Sequence, residues 1–386
     1  YLWPGLASAP NLAPSRLCEQ KMAAKKPSTR FFPNSFAQGR ARFREAAQAA
    51  GARLSSDAHP ARGPSGEPLS TETAWLGPAD AGHLLLCMAG THGAEGFCGS
   101  GIQSGWLERG LFTRLPADTA VLLIHAINPY GFAWVRRVNE SNIDLNRNFI
   151  DHARPAPDSP RYRVLRDAIC PRDWSAASEA EVRRQFAAYA AEHGAMALQE
   201  AIMRGQYFDA QGVCYGGGAD SWSNRTLRAI LAPHAGHVRK FAFIDLHTGL
   251  GPYGYGEIIS NHLADDPGNQ RVREWYGTEA TSADDGSSTS TLISGDIHIG
   301  VQQSLPRAEG TGITLEYGTV PVEAMMDAIR ADNWLHVHGS LDSAQGREIK
   351  SEIRAAFYPE KGDWKDVVFD RAIDVLNRTM NGLTAA

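Results

Sequence analysis

His83-Leu84-Leu85-Leu86-Cys87-Met88-Ala89-Gly90-Thr91-His92-Gly93-Ala94-Glu95-Gly96 is an apolar run that ends in a glycine-rich turn carrying a histidine and a glutamate. The run has the length and character of a strand buried on both faces. Behind the turn, Phe97–Arg109 carries a helical pattern, so the segment reads strand, turn, helix. Ala120–His125, Phe241–Leu246 and Gly312–Leu315 are further apolar runs of the same kind. Helical patterns lie between and after them. Ser178-Glu179-Ala180-Glu181 opens a helix with a capping-box pattern that continues through Phe186 and Tyr189. The stretch from Pro321 to His338 and the one from Trp364 to Met380 also alternate at helical spacing. Strands alternating with helices predict an α/β fold whose central sheet is mixed and largely parallel, flanked by helices. Residues 155–235 read as a helical insertion containing the glycine-rich stretch Gly212–Gly218. Thr281–Gly295, dense in Ser, Thr, Asp and Gly, reads as a long loop able to serve as a lid.

With 386 residues, 43% apolar and 21% charged, the chain has the composition of a folded globular protein. A net charge of -5 gives no general electrostatic case for nucleic acid or an anionic membrane, which leaves a small molecule or peptide as the expected partner. No apolar run approaches the roughly 18 residues of a membrane span, and no secretory pattern opens the chain, so a cytoplasmic location is expected. The five cysteines show no CxxC spacing, which argues against a disulfide framework and against a thiolate zinc site. The first methionine is Met22, so residues 1–21 read as a non-native or disordered extension ahead of a single domain over 22–386.

Ligands in open α/β sheets gather beyond the carboxyl ends of the strands, and chemistry-bearing residues collect there in this sequence. His92 and Glu95 are three apart on a turn that Gly90, Gly93 and Gly96 allow to be tight, a spacing that lets both reach one metal. His247 ends the run Phe-Ala-Phe-Ile-Asp-Leu, where a lone histidine is as readily a core residue as a ligand; beside His92 and Glu95 the ligand reading is preferred. Asp245, two residues earlier on the same strand face, either accepts a proton from a ligating imidazole or only forms a local salt bridge. Asp144-Leu145-Asn146-Arg147 reads either as a turn or as a recognition element. In the second reading Asp144 orients His92, and Asn146 and Arg147 hold a substrate carboxylate. Arg136 and Arg137 lie just upstream, and either could steady an oxyanion. Glu316, after Ile313-Thr314-Leu315, is either a strand-end residue facing solvent or a general base.

The order His-x-x-Glu, Asp-x-Asn-Arg, strand-end His, strand-borne Glu resembles the zinc carboxypeptidase superfamily. The wording Gly-Thr-His-Gly-Ala-Glu-Gly and Asp-Leu-Asn-Arg-Asn-Phe looks most like a bacterial DUF2817-type branch related to succinylglutamate desuccinylase and aspartoacylase. The resemblance implies one zinc per chain bound by His92, Glu95 and His247. It also implies a catalytic Glu316, Arg137 as the oxyanion partner, and carboxylate recognition by Asn146 and Arg147. The implied activity is amide hydrolysis of a small peptide, as in a carboxypeptidase, or of an N-acyl amino acid, as in a deacylase. The competing reading is a non-catalytic zinc- or ligand-binding module on the same fold, which would have no use for a free base at position 316. A serine hydrolase is disfavoured, because Gly99-Ser100-Gly101 does not fit G-x-S-x-G. No motif supplies a catalytic tyrosine; Tyr215, Tyr253 and Tyr255 are candidates because they stand in glycine-rich loops. The helical insertion is expected to reshape the pocket.

Overall fold

A computed structural model describes residues 27–113 and 115–385, so the expected extension over 1–21 lies outside the described residues. Eight strands form one sheet: β1 (Arg53–Arg62), β2 (Pro68–Leu76), β3 (His83–Ala89), β4 (Thr119–His125), β5 (Lys240–Tyr253), β6 (Gly256–Ser260), β7 (Ala280–Ser282) and β8 (Glu309–Gly318). Their spatial order is β1-β2-β4-β3-β5-β8-β6-β7. The centre, β4-β3-β5-β8, is parallel, and antiparallel pairing enters at β1/β2, β2/β4 and β6/β8. The sheet is therefore mixed and largely parallel at its core.

The helices are α1 (Phe36–Ala49), α2 (Gly96–Glu108), α3 (Pro129–Trp134), α4 (Pro160–Ile169), α5 (Ala176–His193) and α6 (Ala195–Met203). They continue as α7 (Trp222–Leu231), α8 (Pro267–Tyr276), α9 (Ile297–Ser304), α10 (Val322–Val337), α11 (Ala344–Phe357) and α12 (Gly362–Thr384). Successive strand residues point to opposite faces, and both faces here are covered. Leu85, Cys87, Val121, Leu123, Ala242 and Ile244 join the core built with α1, α2 and α12. Leu84, Leu86, Met88, Leu122, Ile124 and Phe243 join the opposite core, with Leu227 and Leu231 of α7 and Ile297 and Val301 of α9. That two-sided burial is why these strands read as continuous apolar runs.

Residues 155–235 hold α4, α5, α6 and α7, as the sequence suggests. The start of α5 differs from expectation: Ser175, not Ser178, is its cap, because the Ser175 hydroxyl accepts the backbone N–H of Ser178 at 3.2 Å. Thr281–Gly295 gives its first two residues to β7, and the rest up to α9 has no regular structure. Cys87, Cys98, Cys170 and Cys214 are free and buried, while Cys18 lies outside the described residues. Among the described residues no helix is long and apolar enough to cross a membrane.

The chain leaves β3 to pair β4 on one side and returns as β5 on the other. The loops after β3 and β5 therefore diverge, which opens a crevice at the strand carboxyl ends. The turn after β3 packs tightly on α3: a Cβ at Gly93 would lie 1.9 Å from the carbonyl carbon of Gly131. Gly93→Ala should therefore destabilise the protein by about 1–3 kcal/mol through forced backbone displacement. Denaturant unfolding checks this; an unchanged midpoint would mean that the turn yields freely.

Candidate active site

Strand register brings the separated motifs together. Ala89 pairs with Leu246 across β3 and β5, and His247 pairs with Glu316 across β5 and β8. Because cross-strand partners share a face, His247 and Glu316 stand side by side at the crevice, with Asp245 and Thr314 one step behind them. The turn after β3 then carries His92 and Glu95 to the same place. Donor atoms of His92, Glu95 and His247 lie within 4.8 Å of one another, and all three side chains are buried.

The hydrogen bonds define what this triad offers. His92 Nε2 meets Asp144 Oδ1 at 3.0 Å, and His247 Nε2 meets Asp245 Oδ2 at 2.6 Å. An ionised carboxylate only accepts, so each Nε2 donates and each neutral ring keeps its lone pair on Nδ1. Both Nδ1 atoms face Glu95, at 2.9 Å from Oε1 and 2.9 Å from Oε2. Lone pairs opposed to carboxylate oxygens at that distance repel unless a proton or a cation lies between them. Two imidazoles and a carboxylate, each imidazole backed by another carboxylate, are a donor set suited to a divalent metal ion. Burial alone would raise the pKa of Glu95, but the two imidazoles hold it below the ordinary glutamate range. Burial likewise opposes protonation of His247, yet Asp245 and Glu95 push it well above the usual histidine value. The triad thus draws positive charge to its centre.

The surrounding residues fix this geometry. Asp245 also accepts the Thr91 hydroxyl, at 2.8 and 2.9 Å, and Glu95 Oε2 accepts the Thr248 N–H at 3.0 Å. Asp144 accepts Nε of Arg137 at 3.0 Å and the N–H of Asn146 at 3.0 Å. Burial would raise the Asp144 pKa, but Arg137, Arg147 and His92 hold it well below its ordinary value. Of the two upstream arginines, Arg137 lines the cavity. Arg136 turns away, with Nε to Asp332 at 3.2 Å and Nη2 to Asn142 at 3.0 Å.

A cavity of about 390 Å³ opens over the triad and is lined by His92, Glu95, Arg137, Asn146, Arg147, His247 and Glu316. Asp144 and Asp245 stand behind the histidines. Arg147 is less free than its motif suggests: Nε and Nη2 donate to the Met203 carbonyl at the end of α6, and Nη1 donates to Asn146 O. Three of its five N–H groups are engaged, which leaves one each on Nη1 and Nη2. Asn146 Oδ1 accepts the Ile297 N–H at 3.2 Å. The helical insertion reaches the cavity through Gln199 and Met203.

Glu316 is buried and accepts one backbone hydrogen bond, from Leu250 N at 3.0 Å. Burial, then the charge of Glu95, push its pKa up to about 8. It is a carboxyl group ready to hold or release a proton near neutrality.

A family model described as "Protein of unknown function (DUF2817)" matches residues 32–371. The chain belongs to the DUF2817 family. No curated protein matches it significantly. Among solved structures, this DUF2817 protein is similar to carboxypeptidase A from Helicoverpa armigera, at 12% identity and a TM-score of 0.43, over 89% of this chain and 80% of that one. It is also similar to succinylglutamate desuccinylase from Chromobacterium violaceum, at 15% identity and a TM-score of 0.37, over 82% and 73%. Porphyromonas gingivalis glutaminyl cyclase matches at 12% identity and a TM-score of 0.38, over 91% and 94%. Likenesses at this level decide nothing about the chemistry of the DUF2817 site, which rests on its own residues.

Tyr215, Tyr253 and Tyr255 do not line the cavity. Tyr215 instead packs against the core beside α7, and its carbonyl accepts the N–H of Asp144. Ser100 Oγ does meet His125 Nε2, at 2.8 Å, but both are fully buried between α2 and the end of β4, and burial holds His125 down at about 4. That pair is structural. Sequence reasoning missed Asp296 and Asn261, which line the cavity. The only signal at Asp296 is an N-cap pattern, fulfilled by its bond from His298 N at 2.6 Å, and such a pattern marks a helix start rather than a site.

The raised Glu316 value has a consequence for metal-free protein. A folded-state pKa of about 8 against an ordinary 4.5 gives stability that is fully present below about 4.5 and lost as pH rises through about 8. The melting temperature of chelated protein should fall over that window, and Glu316→Gln should flatten the fall. Parallel curves for the two proteins would contradict this placement of Glu316.

Proposed function

We propose that this protein is a zinc-dependent amide-bond hydrolase, carboxypeptidase-like or N-acyl-amino-acid-deacylase-like, acting on a substrate with a free carboxylate. The observation that carries the reading is Glu316: a buried, proton-ready carboxyl group set beside a His-Glu-His cluster, a companion that a purely structural metal site does not need.

His92, Glu95 and His247 would hold one zinc ion per chain, and Asp144 and Asp245 keep the imidazoles in the ligating tautomer. Bound there, zinc supplies Lewis acidity and lowers the pKa of water towards roughly 7. Glu316 takes the proton of the attacking water and returns it to the leaving amine. Arg137, tied to Asp144 through Nε and directed at Glu95 through Nη1, presents its guanidinium charge to the developing oxyanion. Asn146 Nδ2 and the remaining N–H groups of Arg147 take the substrate carboxylate; the Met203 carbonyl fixes the plane of the guanidinium for that contact.

Glu316→Gln should keep the fold and the metal while lowering turnover by about 10²–10⁴-fold. Near-normal turnover would move the base elsewhere, and retention of zinc with no activity on any amide in either protein would favour a non-catalytic binding module. Arg147→Met should cost more than Arg147→Lys, because lysine keeps a charge but not the fork. Carboxyl-amidated substrates should be poor for the parent and lose that disadvantage in Arg147→Met. Equal cleavage of free and amidated substrates by the parent would replace the carboxylate-reading hydrolase with a general amidase.

A further inference from the structure

Beyond the metal-site cluster the cavity changes character. Much of its wall is apolar, including Met203, Leu250, Ile259, Leu292, Ile293 and Ile299. Into this wall are set Asp296 and Asn261. Asp296 is partly buried, and among the described residues no lysine, arginine or histidine makes an ion pair with it; its one hydrogen bond comes from His298 N. Asn261 gives Nδ2 to Thr314 Oγ1 at 3.0 Å, while its Oδ1 is shut off from solvent and accepts nothing. The two permanent cations of the cavity, Arg137 and Arg147, are bonded to Asp144, Glu95 and backbone carbonyls. His262 also lines the cavity, but burial lowers its pKa, so it adds a neutral ring, and Nε2 already accepts Gly312 N at 2.9 Å. His247 and Arg147 act on Asp296 only through their charge, with no ion pair or hydrogen bond to it, so this part of the wall offers a carboxylate to which no described cation is bonded.

The position of Asp296 is fixed relative to the carboxylate-reading turn. On one side of it, Gly295 O accepts Phe149 N at 3.1 Å; on the other, Ile297 N donates to Asn146 Oδ1 at 3.2 Å. Gly295 fits so closely that a Cβ there would lie 2.4 Å from Arg147 O. Asp296 thus rides on the same rigid unit as Asn146 and Arg147. Burial, with the charge of Asp245 adding to it, holds its carboxyl up at about 6 against the opposing effects of His298 N, His247 and Arg147.

We propose that Asp296 is a specificity-determining residue: it receives the terminal ammonium or guanidinium of a basic amino acid whose α-carboxylate lies at Asn146 and Arg147. The apolar wall takes the alkyl stem, as long basic side chains bury their methylenes and keep the charge paired. The substrate class is then a peptide ending in lysine or arginine, or an N-acyl derivative of either. This rests on the amide-hydrolase reading for the reaction, but not for the binding.

The test uses zinc-loaded protein and the free amino acids L-lysine and L-norleucine, which share a stem and differ in the amine. Calorimetry should show lysine bound at least about tenfold more tightly. Asp296→Asn and Asp296→Ser both keep an N-cap side chain for α9, and both should abolish most of that preference. Norleucine binding as tightly as lysine, binding of neither, or a lysine preference that survives both substitutions overturns the proposal. Hydrolysis separates the two readings. Cleavage of N-acyl-norleucine in preference to N-acyl-lysine defeats the Asp296 subsite and leaves the hydrolase standing. An Asp296-dependent lysine preference in binding, with no acyl- or peptidyl-lysine cleaved, supports the subsite and defeats the hydrolase.

Discussion

Glu95 lies between two imidazoles, and the rest of the site is arranged around that contact. Its oxygens face His92 Nδ1 and His247 Nδ1, each at 2.9 Å, while the outer nitrogens of both rings are committed to Asp144 and Asp245. A buried carboxylate is costly unless positive charge is close by, and buried rings with fixed tautomers cannot turn away to relieve the contact. The sheet imposes this crowding. Parallel register sets β3 beside β5 and β5 beside β8, so the turn after β3, His247 and Glu316 end at one level.

Charge balance extends the same constraint outward. Glu95, Asp144, Asp245, Asp296 and Glu316 surround a region whose permanent cations, among the described cavity residues, are Arg137 and Arg147. A divalent cation at the triad would relieve Glu95 and Glu316 together. Asp296 is not one of the grouped metal-ligating side chains and has no ion pair among the described residues, which is why its charge is assigned to the substrate rather than to the metal. Elements distant in sequence close the cavity: the helical insertion contributes Met203 and Gln199, and the irregular stretch before α9 contributes Ser290, Thr291, Leu292 and Ile293. These two segments close a pocket whose floor is the strand ends of β5, β6 and β8.

How much of this was legible in the sequence follows from burial. The central strands were readable because Leu84 to Met88 and Phe241 to Ile244 are apolar on both faces. β2 was not, because Ser70, Thr71, Glu72 and Thr73 are buried polar residues. Glu72 is fully enclosed and paired with Arg40 at 2.7 Å and Arg44 at 2.5 Å, with Ser56 and Ser70 also bonded to it, so its burial depends on partners from α1 and β1 that no local pattern reveals. β1 itself is a mostly exposed edge without a clear alternation. At the site, the grouping of His92, Glu95, His247 and Glu316 is legible from where the apolar runs end, whereas Arg137 is preferred to Arg136 by the resemblance alone, because the two adjacent arginines share one local pattern and only packing turns Arg136 to Asp332. The Met203 carbonyl on Arg147 and the cavity-facing position of Asp296 depend on segments whose arrangement only tertiary packing sets.

The central claim is that His92, Glu95 and His247 form one catalytic metal site, and metal content tests it most directly. Protein purified without added metal, then equilibrated with zinc and desalted, should carry about one zinc per chain by elemental mass spectrometry. His92→Ala and His247→Ala, each shown to be folded, should lose that zinc. Full zinc content in both variants, or a folded parent that binds none, would contradict the account.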